Sequence, residues 1–236
     1  MLQSLVLIAG LGLVPKLDVP VPVPVTIVAS DGATIAADVS TNPDPASPVI
    51  LLFHQAGSGK GEYAPISPRL LVAGYSTIAL DRRSVKLARS AHDLDVLRDM
   101  DATLAYAKRE FPRAPIYAWG SGSSASLVFA LAARHPHEIA AVLAFSPGEY
   151  FTNKRFVRSA AREVRVPVFI DSASDPAEER AAREIAAEVR SPIVVDYVPH
   201  EGVRGSATLR DDRDAAGAAE NWDAVMAFLA RVRSTH

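Results

Sequence analysis

The fold is decided by residues 116–134, which read IYAWGSGSSASLVFALAAR. Four mostly apolar residues come first, then a run of glycine and serine, and then an apolar stretch long enough for a helix. Tiny residues between a strand and a helix permit a turn that is too tight for larger side chains. The segment therefore predicts the strand Ile116–Trp119, a sharp turn and the helix Ser124–Arg134.

The alternation of strand and helix continues on both sides of this segment. Apolar runs such as ILLF at 50–53 and AVLAF at 141–145 are continuous, which is typical of parallel strands buried on both faces. The pattern predicts a doubly wound α/β fold with a mostly parallel sheet of about eight strands. The other predicted strands are Thr26–Ala29, Thr34–Ser40, Val49–Phe53, Ser76–Leu80, Ala141–Phe145, Val168–Asp171 and Ile193–Tyr197. The other predicted helices are Tyr63–Ala73, Ala91–Arg109, Pro176–Val189 and Ala219–Arg231.

The composition fits a globular chain. Of its 236 residues, 49% are hydrophobic and 22% are charged, the net charge is -2, and cysteine is absent. This balance excludes disordered, collagen-like and coiled-coil chains, and the net charge gives no attraction to nucleic acid. Without cysteine there are no disulfides, cysteine zinc sites or thiol nucleophiles. No motif indicates a metal or a cofactor.

Residues 1–24 differ from the rest. Leu2–Val14 is apolar and, at about 13 residues, too short to span a bilayer but of the length found in signal peptides. We expect export to the periplasm or the medium, with the cytoplasm as the alternative, and no integral membrane span. Residues 18–25 alternate valine and proline, which predicts an extended spacer. Residues 25–236 are then expected to form one α/β domain.

Candidate catalytic residues follow from the rule that chemistry in such sheets lies at the carboxyl ends of the strands. At the turn after the fifth strand, the position of a nucleophile is Gly122, which carries no reactive atom. A shift of one or two residues would place Ser123 or Ser124 there, if the strand extends beyond Trp119. A turn that only starts a helix is the structural alternative.

Two later loops offer an acid and a base. Asp175 follows a late strand and precedes Pro176, so it is either a catalytic carboxylate or the N-cap of a helix. After the last strand, the loop VPHEGVRGSATL at 198–209 contains His200 and Arg204. Only His200 could act as a base near neutral pH, because the pKa of arginine lies above about 12.

Five stretches together resemble the α/β-hydrolase superfamily, in particular small bacterial esterases and dienelactone-hydrolase-like proteins. They are LLFHQAGSGKGEYAPISPRLLVAGY at 51–75, ALDRRS at 79–84, YAWGSGSSASLVFALA at 117–132, AFSPGEYF at 144–151 and VRGSATL at 203–209. The resemblance implies the α/β-hydrolase fold with little or no cap domain. It also implies a serine in a Gly-x-Ser-x-small turn and a histidine in a late His-Gly pair.

Aligned without gaps, the resemblance places the family serine on Gly122, the histidine on Arg204 and the acid on Asp175. Two of the three triad positions therefore depart from the family pattern. The resemblance also implies an oxyanion-hole N–H in the loop after the third strand, that of Gln55 beside His54. The backbone at Ser123 would attract an anion as the start of a helix, and the guanidinium at 204 would suit a carboxylate or a phosphate.

Three hypotheses follow. A degenerate hydrolase would bind a small anionic or ester-like ligand without serine chemistry. An active serine esterase would instead use a displaced triad of Ser123 or Ser124, Asp175 and His200. An interaction module would have no ligand pocket. The segment Pro147–Val166 is a candidate lid, and its aromatic residues Tyr150, Phe151 and Phe156 either line an acyl pocket or pack on the sheet. The sequence does not indicate an oligomeric state.

Overall fold

The computed structural model describes residues 20–81 and 92–234, with the side chains of the helix that begins at His92 described from residue 95 onward. The signal-like segment lies outside these residues, so the predicted export stays a prediction. Of the predicted spacer, the structure describes the part from Pro20 onward. Within the described residues, no helix is long and apolar enough to cross a membrane.

The described residues contain one eight-stranded sheet in the order β1-β2-β4-β3-β5-β6-β7-β8. β1 and β2 pair antiparallel, as do β2 and β4, and all the later pairs are parallel. This confirms the doubly wound, mostly parallel α/β fold. The strands are β1 Val23–Val28, β2 Thr34–Ser40, β3 Val49–Phe53, β4 Ser76–Leu80, β5 Ile116–Ser121, β6 Ala141–Phe145, β7 Val168–Asp171 and β8 Val194–Tyr197.

Helices cover both faces of the sheet, because successive strand residues point to opposite sides. The described α-helices are α1 Ser67–Val72, α2 His92–Glu110, α3 Ser123–Arg134, α4 Phe156–Ala161, α5 Pro176–Ala186 and α6 Ala218–Arg233. On one face, Leu51 and its counterparts contact α2, α3, α4 and α5. On the other face, Leu52 and its counterparts contact α1 and α6. The central strands β3, β4, β5, β6 and β7 are buried throughout, as their continuous apolar runs predict.

Prolines account for two departures from the predicted elements. The predicted helix Tyr63–Ala73 is wrong in its first half: a 3-10 turn spans Lys60–Tyr63 and α1 begins only at Ser67. Pro65 lies between the two, and its nitrogen has no N–H to continue the hydrogen-bond ladder of a helix. The first strand also differs from its prediction. It was predicted to begin at Thr26, but β1 begins at Val23 and includes Pro24.

Two further differences lie near the site. β5 continues two residues beyond its predicted end, to Ser121, and α3 begins one residue earlier than predicted, at Ser123. The short helix α4 within the segment 147–166 was not predicted, since six residues give too little periodicity to recognise a helix.

β1 is an edge strand, and its prolines recur at every second position. Pro24 lies within the strand, and Pro22 and Pro20 precede it in residues without regular secondary structure. A strand tolerates proline where its missing N–H would face away from the neighbouring strand. The nitrogen of Pro24 therefore lies on the outer side of β1, away from β2.

Candidate active site

The tight turn between β5 and α3 falls on Gly122. Its backbone angles are φ 57° and ψ -120°, in the left-handed region that side chains disfavour. The N–H of Gly122 donates to the carbonyl oxygen of Phe145 at 2.9 Å, which fixes the turn to the end of β6. Two residues earlier, a Cβ on Gly120 would lie 2.4 Å from the backbone oxygen of Ser124. The glycines of this segment therefore allow the first turn of α3 to pack against the strand.

Position 122 is thus the tip of the turn even though β5 extends to Ser121. A longer strand was expected to permit a shift of the tip to residue 123 or 124. This shift does not occur, because both serines already belong to α3. The Ser124 hydroxyl donates to the carbonyl oxygen of His54 at 2.7 Å and is buried. Ser123 is partly exposed as the first residue of the helix.

Asp175 is the N-cap of α5. Its carboxylate accepts the N–H groups of Ala177 at 2.9 Å and Glu178 at 3.1 Å, as a side chain in that position does when it satisfies the first free donors of a helix. Of the two interpretations of Asp175, the structure supports the capping role.

His200 lies on the surface. Its side chain is 88% exposed, and Nδ1 lies 2.8 Å from Oε1 of Glu220 on α6. Across residues 20–81 and 92–234, no hydrogen bond joins His200 to Asp175 or to either serine at the start of α3. The displaced triad is therefore not assembled in this conformation.

Arg204 instead faces a carboxylate that the sequence analysis did not select. Its Nη1 donates to Oε1 of Glu178 in a close contact. The guanidinium carbon also lies 4.9 Å from the centre of the Tyr150 ring, within the range of a cation–π interaction. Glu178 is the third residue of α5, so the helix directs its side chain back toward the end of β7. That helical position is the signal in the sequence that could have identified Glu178.

Tyr150 is held by the same cluster. Its hydroxyl donates to the carbonyl oxygen of Ser146 at 2.8 Å. Burial raises the pKa of the Tyr150 hydroxyl. The positive charge of Arg204 lowers this pKa, and the negative charge of Glu178 raises it. The other aromatic residues of the segment behave differently: Phe151 is buried edge-on against Phe156 with ring centres 5.1 Å apart. Of the three proposed pocket-lining residues, only Tyr150 lies beside Arg204.

Serine hydroxyls anchor the loop that carries Arg204. The N–H of Gly205 donates to Oγ of Ser146, and the N–H of Ser206 donates to Oγ of Ser121, both at 2.9 Å. The Ser206 hydroxyl accepts the indole N–H of Trp119 at 2.9 Å. Gly205 has a φ of 72°, and a Cβ there would lie 2.4 Å from Oγ of Ser121. The loop after β8 is therefore fixed against the ends of β5 and β6.

The predicted oxyanion donor is already engaged. The backbone N–H of Gln55 donates to Oε2 of Glu62 at 3.1 Å. Glu62 is 5% exposed, and its other carboxyl oxygen has no hydrogen-bond partner in the described part of the chain. The imidazole Nδ1 of His54 lies 2.8 Å from the carbonyl oxygen of Gln55. In this conformation the Gln55 N–H points at a carboxyl group, which the neighbouring 3-10 turn brings onto it, and its role as an oxyanion donor stays a prediction.

A buried acid lies behind this site. Asp171 ends β7 and is 1% exposed, and burial raises its pKa well above the ordinary value. Asp214 and Glu178 raise this pKa further, while the N–H of Ser172 lowers it. The described residues contain no group of three or more histidine, aspartate and glutamate side chains placed to hold a metal ion.

Comparison with known proteins agrees with this architecture. A family model described as alpha/beta hydrolase fold matches residues 48–171. Similar solved structures include an esterase of Pyrococcus furiosus, with a TM-score of 0.70, 18% identity and coverage of 89% of this chain and 92% of that one. A dienelactone hydrolase of Anabaena variabilis has a TM-score of 0.63 and 13% identity, with coverage of 76% and 85%.

A third similar structure is a cold-adapted esterase from an Arctic intertidal metagenomic library, bound to PEG. Its TM-score is 0.62 with 18% identity, and the match covers 74% of this chain and 82% of that one. Among curated proteins, no sequence matches the chain significantly. At these identities the solved structures establish the fold alone.

Proposed function

Because this chain belongs to the α/β-hydrolase fold family, we propose that it binds a small ester-like or anionic ligand at the carboxyl edge of its sheet without hydrolysing it. The observation that carries the proposal is Gly122. It stands at the tip of the turn between β5 and α3 with φ 57° and ψ -120°, where an active member of the family would present its serine oxygen. A glycine has no atom that could attack a carbonyl carbon.

The base position supports the same conclusion. The residue at position 204 is an arginine, and a guanidinium group in a protein stays protonated across the physiological pH range. It therefore cannot take the proton of a hydroxyl group. In serine proteases, loss of the serine or histidine alone costs about 10⁶ in kcat, and a second loss adds little because the triad works as a unit. A chain without both groups therefore lacks the catalytic contribution of the triad.

The oxyanion position adds a third argument. An oxyanion is stabilised by N–H groups that are free to point at it. The Gln55 N–H points at the Glu62 carboxyl group instead. Other polar groups remain at this edge of the sheet, above all the guanidinium of Arg204. They suit recognition of a ligand rather than stabilisation of a tetrahedral intermediate.

The test is chemical. The purified full chain is assayed for hydrolysis of p-nitrophenyl butyrate and for labelling by a fluorophosphonate probe, which reacts with activated serines. We expect hydrolysis at the rate of buffer alone and no stoichiometric labelling. Matched variants, Ser123→Ala and Ser124→Ala, should behave as the parent does. Stoichiometric labelling that either variant abolishes would establish the active-esterase hypothesis and refute the proposal.

A further inference from the structure

A cleft of about 460 Å³ lies between the edge strand β1 and the helix α2. One wall is formed by residues 26–28 of β1, and the other by one face of α2 from Arg98 to Arg109. Ala102 and Ala105 lie in the middle of that face, and their short side chains leave room beside the strand. The described residues that line the cleft include none of the candidate catalytic residues.

The backbone of β1 is unpaired on the side that faces away from β2. The N–H of Ala29 donates toward β2, to the carbonyl oxygen of Ala33 at 2.9 Å, so the odd-numbered residues of β1 face β2 and the even-numbered ones face outward. Thr26 and Val28 therefore each point an N–H and a carbonyl oxygen outward, and no described residue pairs with these groups. Lying about 7 Å apart, they are a template for one more strand.

Pro24 limits how far a new ladder of hydrogen bonds can extend. It is the next outward-facing residue toward the amino end of β1, and it has no N–H to donate. A strand that pairs with this edge is therefore held by Thr26 and Val28 and ends beside Pro24. The edge accepts a short extended peptide rather than a long strand.

Arg109 lies at the end of the cleft where this pairing stops. Arg98 lies at the opposite end, since its Nη1 is 3.9 Å from Oδ2 of Asp31 in the turn after β1. Three helical turns, about 16 Å, separate Arg98 from Arg109 along α2. The guanidinium of Arg109 is therefore at the Pro24 end of the cleft.

One edge of the Arg109 guanidinium is open. Its Nε donates to Oε1 of Glu110 at 2.8 Å, and its carbon lies 5.1 Å from the centre of the Tyr106 ring. Nη1 and Nη2 have no acceptor in the part of the chain that the structure describes. A carboxylate can accept both of these N–H groups in parallel. It then lies closer to the guanidinium than to Glu110, so the attraction exceeds the repulsion, although water screens both because the two side chains are 66% and 44% exposed.

The other charged groups of the cleft are balanced within the protein. Asp101 contacts Nη2 of Arg134 at 2.7 Å and Nε2 of His135 at 2.9 Å. Arg98 faces two carboxylates, since its Nη1 lies 2.8 Å from Oδ1 of Asp95 as well as near the acid in the turn after β1. A negative charge is therefore attracted to the Arg109 end of the cleft.

We propose that the cleft binds the C-terminal segment of a partner protein as an extended peptide, antiparallel to β1, with its terminal carboxylate on Arg109. Antiparallel pairing brings the carboxyl end of the peptide to the amino end of β1, where Pro24 ends the ladder. Parallel pairing would bring an ammonium group there, which Arg109 repels. The peptide residues that face α2 contact Ala102 and Ala105 and are apolar. This site is independent of the proposed function.

Fluorescence polarisation on the full chain tests the carboxylate contact with a labelled hexapeptide of alternating threonine and valine. The peptide with a free C-terminal carboxylate should bind saturably, and its C-terminal amide about twofold to fivefold more weakly, the value of an exposed ion pair. Arg109→Gln should weaken the acid to the level of the amide. Arg113→Gln is the matched control, since it removes the same charge from an exposed residue just beyond α2, and should keep the difference.

The strand pairing is tested on both molecules. Val28→Pro removes an outward N–H, as Pro24 already does, and should weaken the peptide about twofold to tenfold, the value of one hydrogen bond. Thermal melting shows that this variant is folded. N-methylation of the peptide at alternate residues removes its donors and leaves the protein unchanged. Methylation of one alternate set should abolish binding, and methylation of the other set should preserve it.

Each result decides a part of the proposal. Equal effects of the two methylated sets would overturn the strand pairing, and equal binding of acid and amide would overturn the contact with Arg109. A parent that binds neither peptide would refute the proposal altogether. Light scattering addresses a second copy of the chain as the occupant: a dimer that Val28→Pro dissociates would show that the proposal is wrong. None of these outcomes bears on the proposed function at the carboxyl edge.

Discussion

The double substitution Gly122→Ser with Arg204→His should create esterase activity. The size of the expected rate increase follows from the structure. In serine proteases, the triad contributes about 10⁶ in kcat. The engaged Gln55 N–H withholds one oxyanion donor, which is worth about 10²–10³. The double variant should therefore hydrolyse p-nitrophenyl butyrate about 10³–10⁴ times faster than the parent. Each single variant should stay at the background rate, because the nucleophile and the base work together.

The same variant should be less stable than the parent. A side chain at φ 57° costs about 1–3 kcal/mol, and the new Cβ would lie 3.0 Å from Cβ of Gln55, which must move by a few tenths of an ångström. With about 2 kcal/mol as the central value, a chain of this size should melt about 4–8 °C lower. That loss leaves a domain of ordinary stability folded.

The double variant can also show which carboxyl group acts as the acid of the triad. Glu178 contacts the side chain at position 204, whereas Asp175 caps α5. Adding Glu178→Gln should lower kcat by about 10⁴, the effect of losing the acid in a serine protease, and the matched Asp175→Asn should not. A folded double variant without activity, or one silenced by Asp175→Asn alone, would refute the assignment of the triad positions.

Three further predictions concern stability. Gly120→Ala should cost about 3 kcal/mol or more, because its Cβ would lie 2.4 Å from the Ser124 backbone oxygen and neither backbone can yield. Gly61→Ala, whose Cβ meets nothing within 4 Å, is the control for urea denaturation and should change the free energy of unfolding by less than about 0.5 kcal/mol. Asp175→Ala should lower the melting temperature by about 2–4 °C, since an N-cap contributes about 1 kcal/mol; an unchanged melting temperature would count against the cap. Burial raises the pKa of Asp171 in the folded protein, so the parent should lose stability as pH rises from the unfolded pKa to the folded one. Asp171→Asn should abolish that decline in urea titrations between pH 4 and 8, and a parallel decline in both proteins would contradict it.

The sheet was predictable because its signal is local. Continuous apolar runs such as Val49–Phe53 and Ala141–Phe145 give strands that are buried throughout, and the structure has them at the predicted bounds. The turn was predictable for the same reason, since residues 120–124, where the strand meets the helix, are all glycine or serine. The helix predicted from Tyr63 failed where Pro65 interrupts it.

The polar contacts of the site were not predictable, because they depend on where separate loops meet. Asp175 was selected as the acid because it is close to the end of β7 in the sequence. The helix that it caps then carries Glu178 back toward Arg204. Similarly, Glu62 reaches the Gln55 N–H because it belongs to a 3-10 turn that the sequence pattern did not reveal.

The alternate prolines at the start of β1 affect how the molecule behaves among its own copies. An exposed edge strand offers unpaired N–H groups to any other chain that approaches as a strand, and this is a common route to fibrils. The nitrogen of Pro24 in β1 cannot donate to such a ladder, and Pro20 and Pro22 just before the strand lack an N–H as well. Concentrated solutions should therefore resist aggregation through this side of the sheet, even though the valines between the prolines are exposed.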